Sequence, residues 1–377
     1  HLSASQLDKA RTCHIAYFMR YGLRAKERTG AGFDAPQIGT FVHDVMEHTL
    51  KKARECGGLH TLEKERLHTL VRASIGEYIA RALPDLAEKS ARFRYLFDRL
   101  CAAVERIMDE VADELRCSDF EPLAFELKFG AGAPLPAISI QSAAGAARLS
   151  GKVDRVDGWL HDGKLYLRVI DYKTGKKAFD LAELRYGLGL QMLLYLFALE
   201  REGSGLFGGK EIVPAGVLYT PAREPLLRCA RSTEPEKIEK ALKKELRRSG
   251  MVLSDPAVLR AMEHSALEAP CYLPVAVKKD GAVSGGLATA EQLGKLSKYV
   301  DYLLGQIAGE IFSGDIDADP CARTPQQPAC TYCEFAPACH FENGRGSDRV
   351  EYIRATKGEE FWRYVDEVNE RGARSDV

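Results

Sequence analysis

Apolar residues recur at helical spacing through the first 116 residues, and from residue 120 the period shortens to two. Ser3 or Ser5 is placed to cap a first helix carrying Leu7, Ala10, Ile15 and Phe18. After a Gly- and Pro-containing stretch over residues 30–39, amphipathic patterns predict helices over about 40–56, 61–82 and 86–115. Alternation then predicts strands over 123–129, 137–141, 148–159 and 165–172, separated by turn-like Gly130-Ala-Gly and His161-Asp-Gly. A helix over 180–201, a strand over 215–220 and a charged helix over 234–248 follow. Residues 250–290 are punctuated by Gly, Pro and Ser and read as an insertion. A helix over 291–312 leads into a Cys-rich loop, with a last helix over 359–371. Helices, then a meander, then helix–strand–helix is the order of an α/β protein with a mixed β-sheet flanked by helices. The regions divide as 1–119 (helical, carrying Cys13 and His43), 120–249 (core), 250–290 (insertion) and 291–377 (C-terminal helices and Cys-rich loop).

Composition narrows the class without identifying an activity. With 53 Lys and Arg against 54 Asp and Glu in 377 residues, and 45% hydrophobic residues, the chain is an ordinary globular one. Near-neutrality removes any global signature of nucleic-acid binding, so phosphate contact needs a local basic groove. The longest apolar stretch, over residues 188–199, contains Gln191 and falls short of the ~20 residues of a membrane span. The first residues lack a secretory pattern, so ten cysteines in a large chain point to a reduced, cytoplasmic setting with metal ligands rather than disulfides. His1 in place of an initiator Met suggests a piece of a longer polypeptide.

The informative segment is Gly151-Lys-Val-Asp154-Arg-Val-Asp157, followed by Asp171-Tyr-Lys173. Residues i and i+2 of a strand share a face, so Asp171 and Lys173 project together, beside Asp154 if the two strands pair as a hairpin. Two carboxylates and an ammonium on one strand face suit a hard divalent cation, with the lysine to position an attacking water. The bland alternative is that Asp154, Arg155 and Asp157 form solvated ion pairs at a hairpin end. Three further signals accompany the cluster. His43 and Glu47 lie one turn apart on a helix, Gln191 and Tyr195 one turn apart on another, and Cys330-x2-Cys333-x5-Cys339 closes the chain.

The ordered series Gly39-x3-His43, Gly151-x2-Asp154-Arg155-x-Asp157, Asp171-Tyr172-Lys173 and Gln191-x3-Tyr195 resembles the RecB/Cas4-like branch of the PD-(D/E)xK nuclease superfamily. The opening Ser3-Ala-Ser-Gln-Leu with Cys13, the Tyr21-Gly-Leu that follows and the terminal cysteine triplet make it similar to the C-terminal nuclease domains of AddB-type helicase–nuclease subunits. The likeness runs from about residue 3 to 340. Val153 stands where the superfamily commonly has Pro. The resemblance implies a restriction-endonuclease-like fold, with His43, Asp154, Asp171 and the Tyr172 backbone carbonyl holding Mg²⁺ or Mn²⁺ and Lys173 as catalytic lysine. It implies that Gln191 and Tyr195 contact the active site or DNA; Glu47 and Glu126 receive no role. The implied activity is a metal-dependent exonuclease on single strands or unwound duplex, leaving 5′-phosphates, in double-strand break repair and recombination inside bacteria. No P-loop motif is present, so strand separation falls to another region or to an AddA partner. A catalytically silent DNA-binding module would show eroded ligands, and a zinc-dependent adaptor would leave the acidic cluster idle.

Three thiols at Cys330, Cys333 and Cys339 need a fourth ligand, for which Cys13, Cys321 and His340 are candidates. Paired knuckles are the usual zinc pattern, and a lone triplet departs from it. The resemblance selects Cys13 and a 4Fe–4S cluster tying one end of the domain to the other. Cys56, Cys101, Cys117, Cys229 and Cys271 read as small hydrophobes. Three basic segments compete as DNA contacts: Lys89 to Arg106 with Phe93, Tyr95 and Phe97 interleaved; Lys173, Lys176 and Lys177; and Lys243, Lys244, Arg247 and Arg248.

Overall fold

In a computed structural model, residues 1–26 and 35–375 are described. A two-residue strand β1 (Leu2–Ser3) leads into α1 (Ala4–Thr12), whose capping box pairs the Ser3 hydroxyl with the Gln6 amide and the Gln6 side chain with the Ser3 N–H. Ser3, rather than Ser5, is therefore the cap. A short α2 (His14–Tyr17) follows, then α3 (Ala35–Glu55), α4 (Lys64–Ala82) and α5 (Ala91–Arg116). These three long helices pack on one another through apolar stripes, among them Phe41, Val45, Met46 and Leu50 of α3 and Phe97, Val104, Met108 and Val111 of α5.

The strands β2 (Glu121–Phe129), β3 (Ile138–Ser142), β4 (Gly145–His161) and β5 (Lys164–Lys173) form the expected meander. Seventeen-residue β4 is its spine: its first half pairs with β3 and, in parallel, with β1, while its second half lies between β2 and β5. A crossover through α6 (Leu181–Arg185) and α7 (Gln191–Glu202) returns the chain to β6 (Glu211–Pro221), parallel to β5. One continuous helix was the expectation for 180–201. It is broken where Gly187 and Gly189 adopt φ of +77° and +69°, a conformation that side chains with a Cβ resist.

Beyond β6, helix α8 (Pro235–Leu246) precedes β7 (Ser249–Leu253), antiparallel to β6. Then come α9 (Pro256–Met262), the hairpin β8 (Val275–Val277) with β9 (Val283–Gly285), and β10 (Leu287–Ala288), parallel to β7. Part of the 250–290 stretch thus extends the far edge of the eight-stranded mixed sheet. Helices α10 (Ala290–Ser313), α11 (Ala336–Cys339) and α12 (Gly358–Ser375), and the small pair β11 (Cys321–Ala322) with β12 (Glu351–Tyr352), complete the chain. Helix α7 buries eight consecutive residues, Met192 to Leu199, against β5 and β6. One apolar core runs from Leu2 to Val368. Among the described residues, no helix is long and apolar enough to cross a membrane.

Candidate active site

Strand pairing brings the acidic cluster together. The β4–β5 ladder includes Arg155 opposite Ile170, which puts Asp154 and Asp171 side by side at its end, as a hairpin requires. Tyr172 donates its backbone N–H to Asp154 Oδ2 at 2.9 Å. From α3, His43 reaches across with Nε2 2.9 Å from the Tyr172 carbonyl and Nδ1 3.3 Å from Asp154 Oδ2. Lys173 Nζ lies 2.7 Å from Asp171 Oδ2 and also sits over the Tyr219 ring. Burial, followed by the neighbouring Asp154 carboxylate, pushes the Asp171 carboxyl up to about 6. Burial alone would lower the His43 pKa, but the Asp154 carboxylate and the Tyr172 carbonyl hold it above the ordinary imidazole value.

The opposite face of these strands is an ion-pair network in the core. Arg155 donates to the Tyr172 hydroxyl at 2.6 Å and to Asp157 at 2.9 Å; Arg168 also donates to Asp157 at 3.0 Å, and Arg248 to Glu114 at 2.6 Å. Arg155, Asp157 and Arg168 have no exposed surface. The solvated hairpin-end pair is therefore wrong in place: Arg155 and Asp157 do pair, but mid-strand and out of water, where each charge needs its partner. Burial would raise the Glu114 pKa, yet Arg248, Arg168 and Arg155 draw it down to about 2. The network clamps the Tyr172 ring while that residue's amide and carbonyl face the site.

Tyr195 sits 4% exposed behind the same strands, stacked on Phe129, with its hydroxyl 3.3 Å from the Lys152 amide and Gln191 as its side-chain partner. A Cβ on Gly151 would come within 2.3 Å of that hydroxyl, so a glycine lets the ring support β4 from below. At 4% exposure, Tyr195 meets the site's backbone and has no ring face open to DNA.

Glu126 carries no role in the sequence analysis, but it converges on the site. Ligand atoms of His43, Glu126 and Asp154 all lie within 4.8 Å of one another. Glu126 has φ of +50°, strained for a residue with a side chain, and its carboxylate pairs with Lys152. A cleft of about 330 Å³ opens over His43, Glu126 and Lys152 between α3 and β2. The signal for Glu126 is its place opposite Asp154, between the pairs Phe125–Arg155 and Leu127–Val153; that register exists only once β2 and β4 have paired. Glu47 pairs instead with Lys51 along α3. The donors at this edge are carboxylate and carbonyl oxygens with one imidazole nitrogen, a set that fits Mg²⁺ or Mn²⁺.

At the other end of the molecule, Cys13, Ala16 and Phe335 form a small apolar cluster, with Cys333 packed against it. Cys330 is electrostatically close to Cys13, Cys333 and Cys339, whereas Cys321 neighbours Glu183, Glu351 and Asp319. Of the two cysteines considered for the fourth position, Cys13 is the one beside the triplet. Among the described residues, no three of these sulfurs lie within 4.8 Å of one another. A polar clasp reinforces the junction: Asp319 accepts from the His14 amide at 2.8 Å and contacts His14 Nδ1 at 2.6 Å, and Arg11 pairs with Glu310 at 3.0 Å. Of the cysteines read as small hydrophobes, Cys56, Cys117, Cys229 and Cys271 are exposed and only Cys101 is partly buried. Cys56 and Cys117 directly follow α3 and α5, where the apolar stripe runs out.

The sequence profile of the PD-(D/E)XK nuclease superfamily matches residues 1–340. An ATP-dependent helicase/deoxyribonuclease subunit of Desulforudis audaxviator, of the B type, is 36% identical over 369 residues, covering 97% of this chain and 31% of that protein. Its counterpart in Caldanaerobacter subterraneus subsp. tengcongensis is 34% identical over an aligned length of 385 residues, covering 99% and 32%. That of Acetivibrio thermocellus is 33% identical over 364 residues, covering 96% and 32%. The chain spans about a third of the length of these curated relatives. With the Asp154–Asp171–Lys173 edge assembled on a mixed sheet, and with matches over nearly its whole length, the chain belongs to the PD-(D/E)XK nuclease superfamily.

Proposed function

We propose that this chain is a metal-dependent deoxyribonuclease that degrades single strands from an end, fed by a helicase, in double-strand break repair and recombination. The observation that carries the reading is His43 from α3 meeting both the Asp154 carboxylate and the Tyr172 carbonyl, which are brought together from β4 and β5. His43, Asp154, Asp171 and the Tyr172 carbonyl are the residues that would hold Mg²⁺ or Mn²⁺, with Glu126 as an added carboxylate. When bound, the ion supplies a water of lowered pKa and neutralises charge developing on the phosphate. Without a cation, the carboxylates of Asp154, Asp171 and Glu126 repel a phosphodiester. Lys173, paired with Asp171, is the side chain that would orient the attacking water. Tyr172, clamped by Arg155, holds its carbonyl towards His43.

The relatives are named as one subunit of an ATP-dependent helicase/deoxyribonuclease, which supports a place in a two-subunit machine with AddA as partner. Cys13, Cys330, Cys333 and Cys339 would bind a 4Fe–4S cluster that ties the two ends of the domain; the packing of Cys333 against the cluster of Cys13, Ala16 and Phe335 supports this set. The test is cleavage of end-labelled single-stranded DNA with and without Mg²⁺, beside Lys173→Ala. Metal-dependent shortening from one end, lost in the variant, is expected; equal cleavage by both proteins overturns the catalytic assignment. Iron and acid-labile sulfide analysis of anaerobically purified protein tests the cluster, and zinc without sulfide would exclude it.

A further inference from the structure

The three basic segments differ sharply in how their charge is used. Lys176 pairs with Glu245, Lys177 with Glu183 and Lys243 with Glu239, while Arg248 is buried on Glu114; in that last segment Lys244 alone is exposed with no ion pair among the described residues, and in the first segment Lys89 is paired with Asp85. On the N-terminal half of α5, Arg92, Arg94 and Arg99 are exposed, and among the described residues none of them meets a carboxylate. Arg92, Leu96 and Arg99 stand at i, i+4 and i+7, so they form one stripe, with the two guanidinium stems about 10 Å apart along the helix.

That stripe lines a groove of about 800 Å³ whose other wall is Ile38 and Val42 of α3 and whose end is Thr174. Val42 precedes His43 and Thr174 follows Lys173, and a Cβ on Gly39, which lines the cleft over His43, would lie 3.9 Å from the Thr174 hydroxyl, so the groove runs beside the candidate active site. At its far end, Arg106 pairs with Glu224 at 2.8 Å and Arg223 with Glu245 at 3.2 Å. Beyond lies a second cleft, of about 790 Å³, whose described lining balances six acidic side chains, among them Asp109, Glu110 and Asp113, against six basic ones, so it offers a phosphate backbone no net positive charge. Resting on the nuclease reading above, we infer that single-stranded DNA runs to the catalytic edge along the Arg92–Leu96–Arg99 stripe of α5, and not through the cleft beside α8. The two guanidiniums span about three stacked nucleotides, and Leu96 offers apolar surface between them.

The test measures binding rather than cleavage. In an Asp171→Ala background, the affinity for a fluorescent oligo-dT of about 20 nucleotides is titrated against salt for the parent, for Arg92→Glu/Arg99→Glu and for Arg92→Ala/Arg99→Ala. Lys243→Glu/Lys244→Glu on α8 serves as control, with melting curves to confirm folding. Losing two phosphate contacts should flatten the slope of log affinity against log salt by about 1.4, and affinity at low salt should fall about tenfold in the Glu pair. The alanine pair should fall less, and the α8 control should match the parent. If the parent binds and both α5 pairs bind equally well, or if only the α8 control weakens, the groove assignment is overturned while the nuclease reading stands. A parent that binds no single strand at any salt overturns both.

Discussion

The catalytic edge and the cysteine clasp both join residues distant in the chain, but they are held in different ways. At the edge, every donor sits on a regular element, and the backbone of Tyr172 is itself used as a strut between Asp154 and His43. At the clasp, the thiols lie on loops and short turns. Packing of Cys13 with Phe335 and the His14–Asp319 pair bring the segments together, while among the described residues no three of the sulfurs lie within 4.8 Å of one another. The first centre has its donors fixed by strand pairing and by one helix. The second has its segments held side by side by packing and an ion pair.

If that contrast is right, substitutions at the edge will cost activity and substitutions at the clasp will cost stability. Asp171→Ala should lower nuclease activity by at least about 10²-fold, measured as initial cleavage rate, with no loss of melting temperature. Asp319→Asn, by removing the nearer of the two carboxylates that hold buried His14, should cost about 3 kcal/mol of unfolding free energy in denaturant titrations. His14 is held at about 10 by Asp319 and Glu310, against an ordinary value of 6.5. The stability from that pair is therefore complete below pH 6.5 and declines as pH rises through about 10, a slope that Asp319→Asn should flatten. Cys330→Ser should lower stability by about 2–4 kcal/mol in protein that carries the proposed cluster, in line with the opening of a long cross-linked loop, and by much less in protein without it.

A smaller effect separates the two regions by pH. Asp171 is raised from 3.8 to about 6, so ion-free protein is favoured by this group below pH 3.8 and loses that contribution as pH rises through about 6. A divalent ion should cancel the loss, so the Mg²⁺-induced rise in melting temperature should be larger at about pH 7.5 than at about pH 5. Smallest of all, Tyr195→Phe should cost about 1 kcal/mol by removing the hydroxyl from the Lys152 amide, with a modest fall in cleavage rate. A large fall in rate without destabilisation would move Tyr195 from support of β4 to direct participation.

The elements that carry the site were legible as sequence. Period-two alternation marked β4 and β5, and the i, i+2 spacing of Asp171 and Lys173 set their shared face before any pairing was known. The break between α6 and α7 was missed because Leu184, Leu188 and Met192, at i, i+4 and i+8, continue a helical stripe across Gly187 and Gly189, whose backbone conformation decides against it. The exposure of Cys56 and Cys117 was missed because a cysteine just past a helix end has no local signal for which way it faces.

Residue types and short-range spacing were enough to name Asp154, Asp171, Lys173 and the cysteine triplet, since a strand's alternation and a knuckle's reach are local geometry. Long-range register and packing supplied the rest: Glu126 opposite Asp154, Arg155 buried against Tyr172, the shared packing of Cys333 with the cluster of Cys13 that the resemblance had already picked, and the exposed arginines of α5 along a groove beside the site. Those assignments depend on which distant segment fills a given space and on whether a charge there finds a partner, and neither quantity is written in any stretch of the chain taken alone.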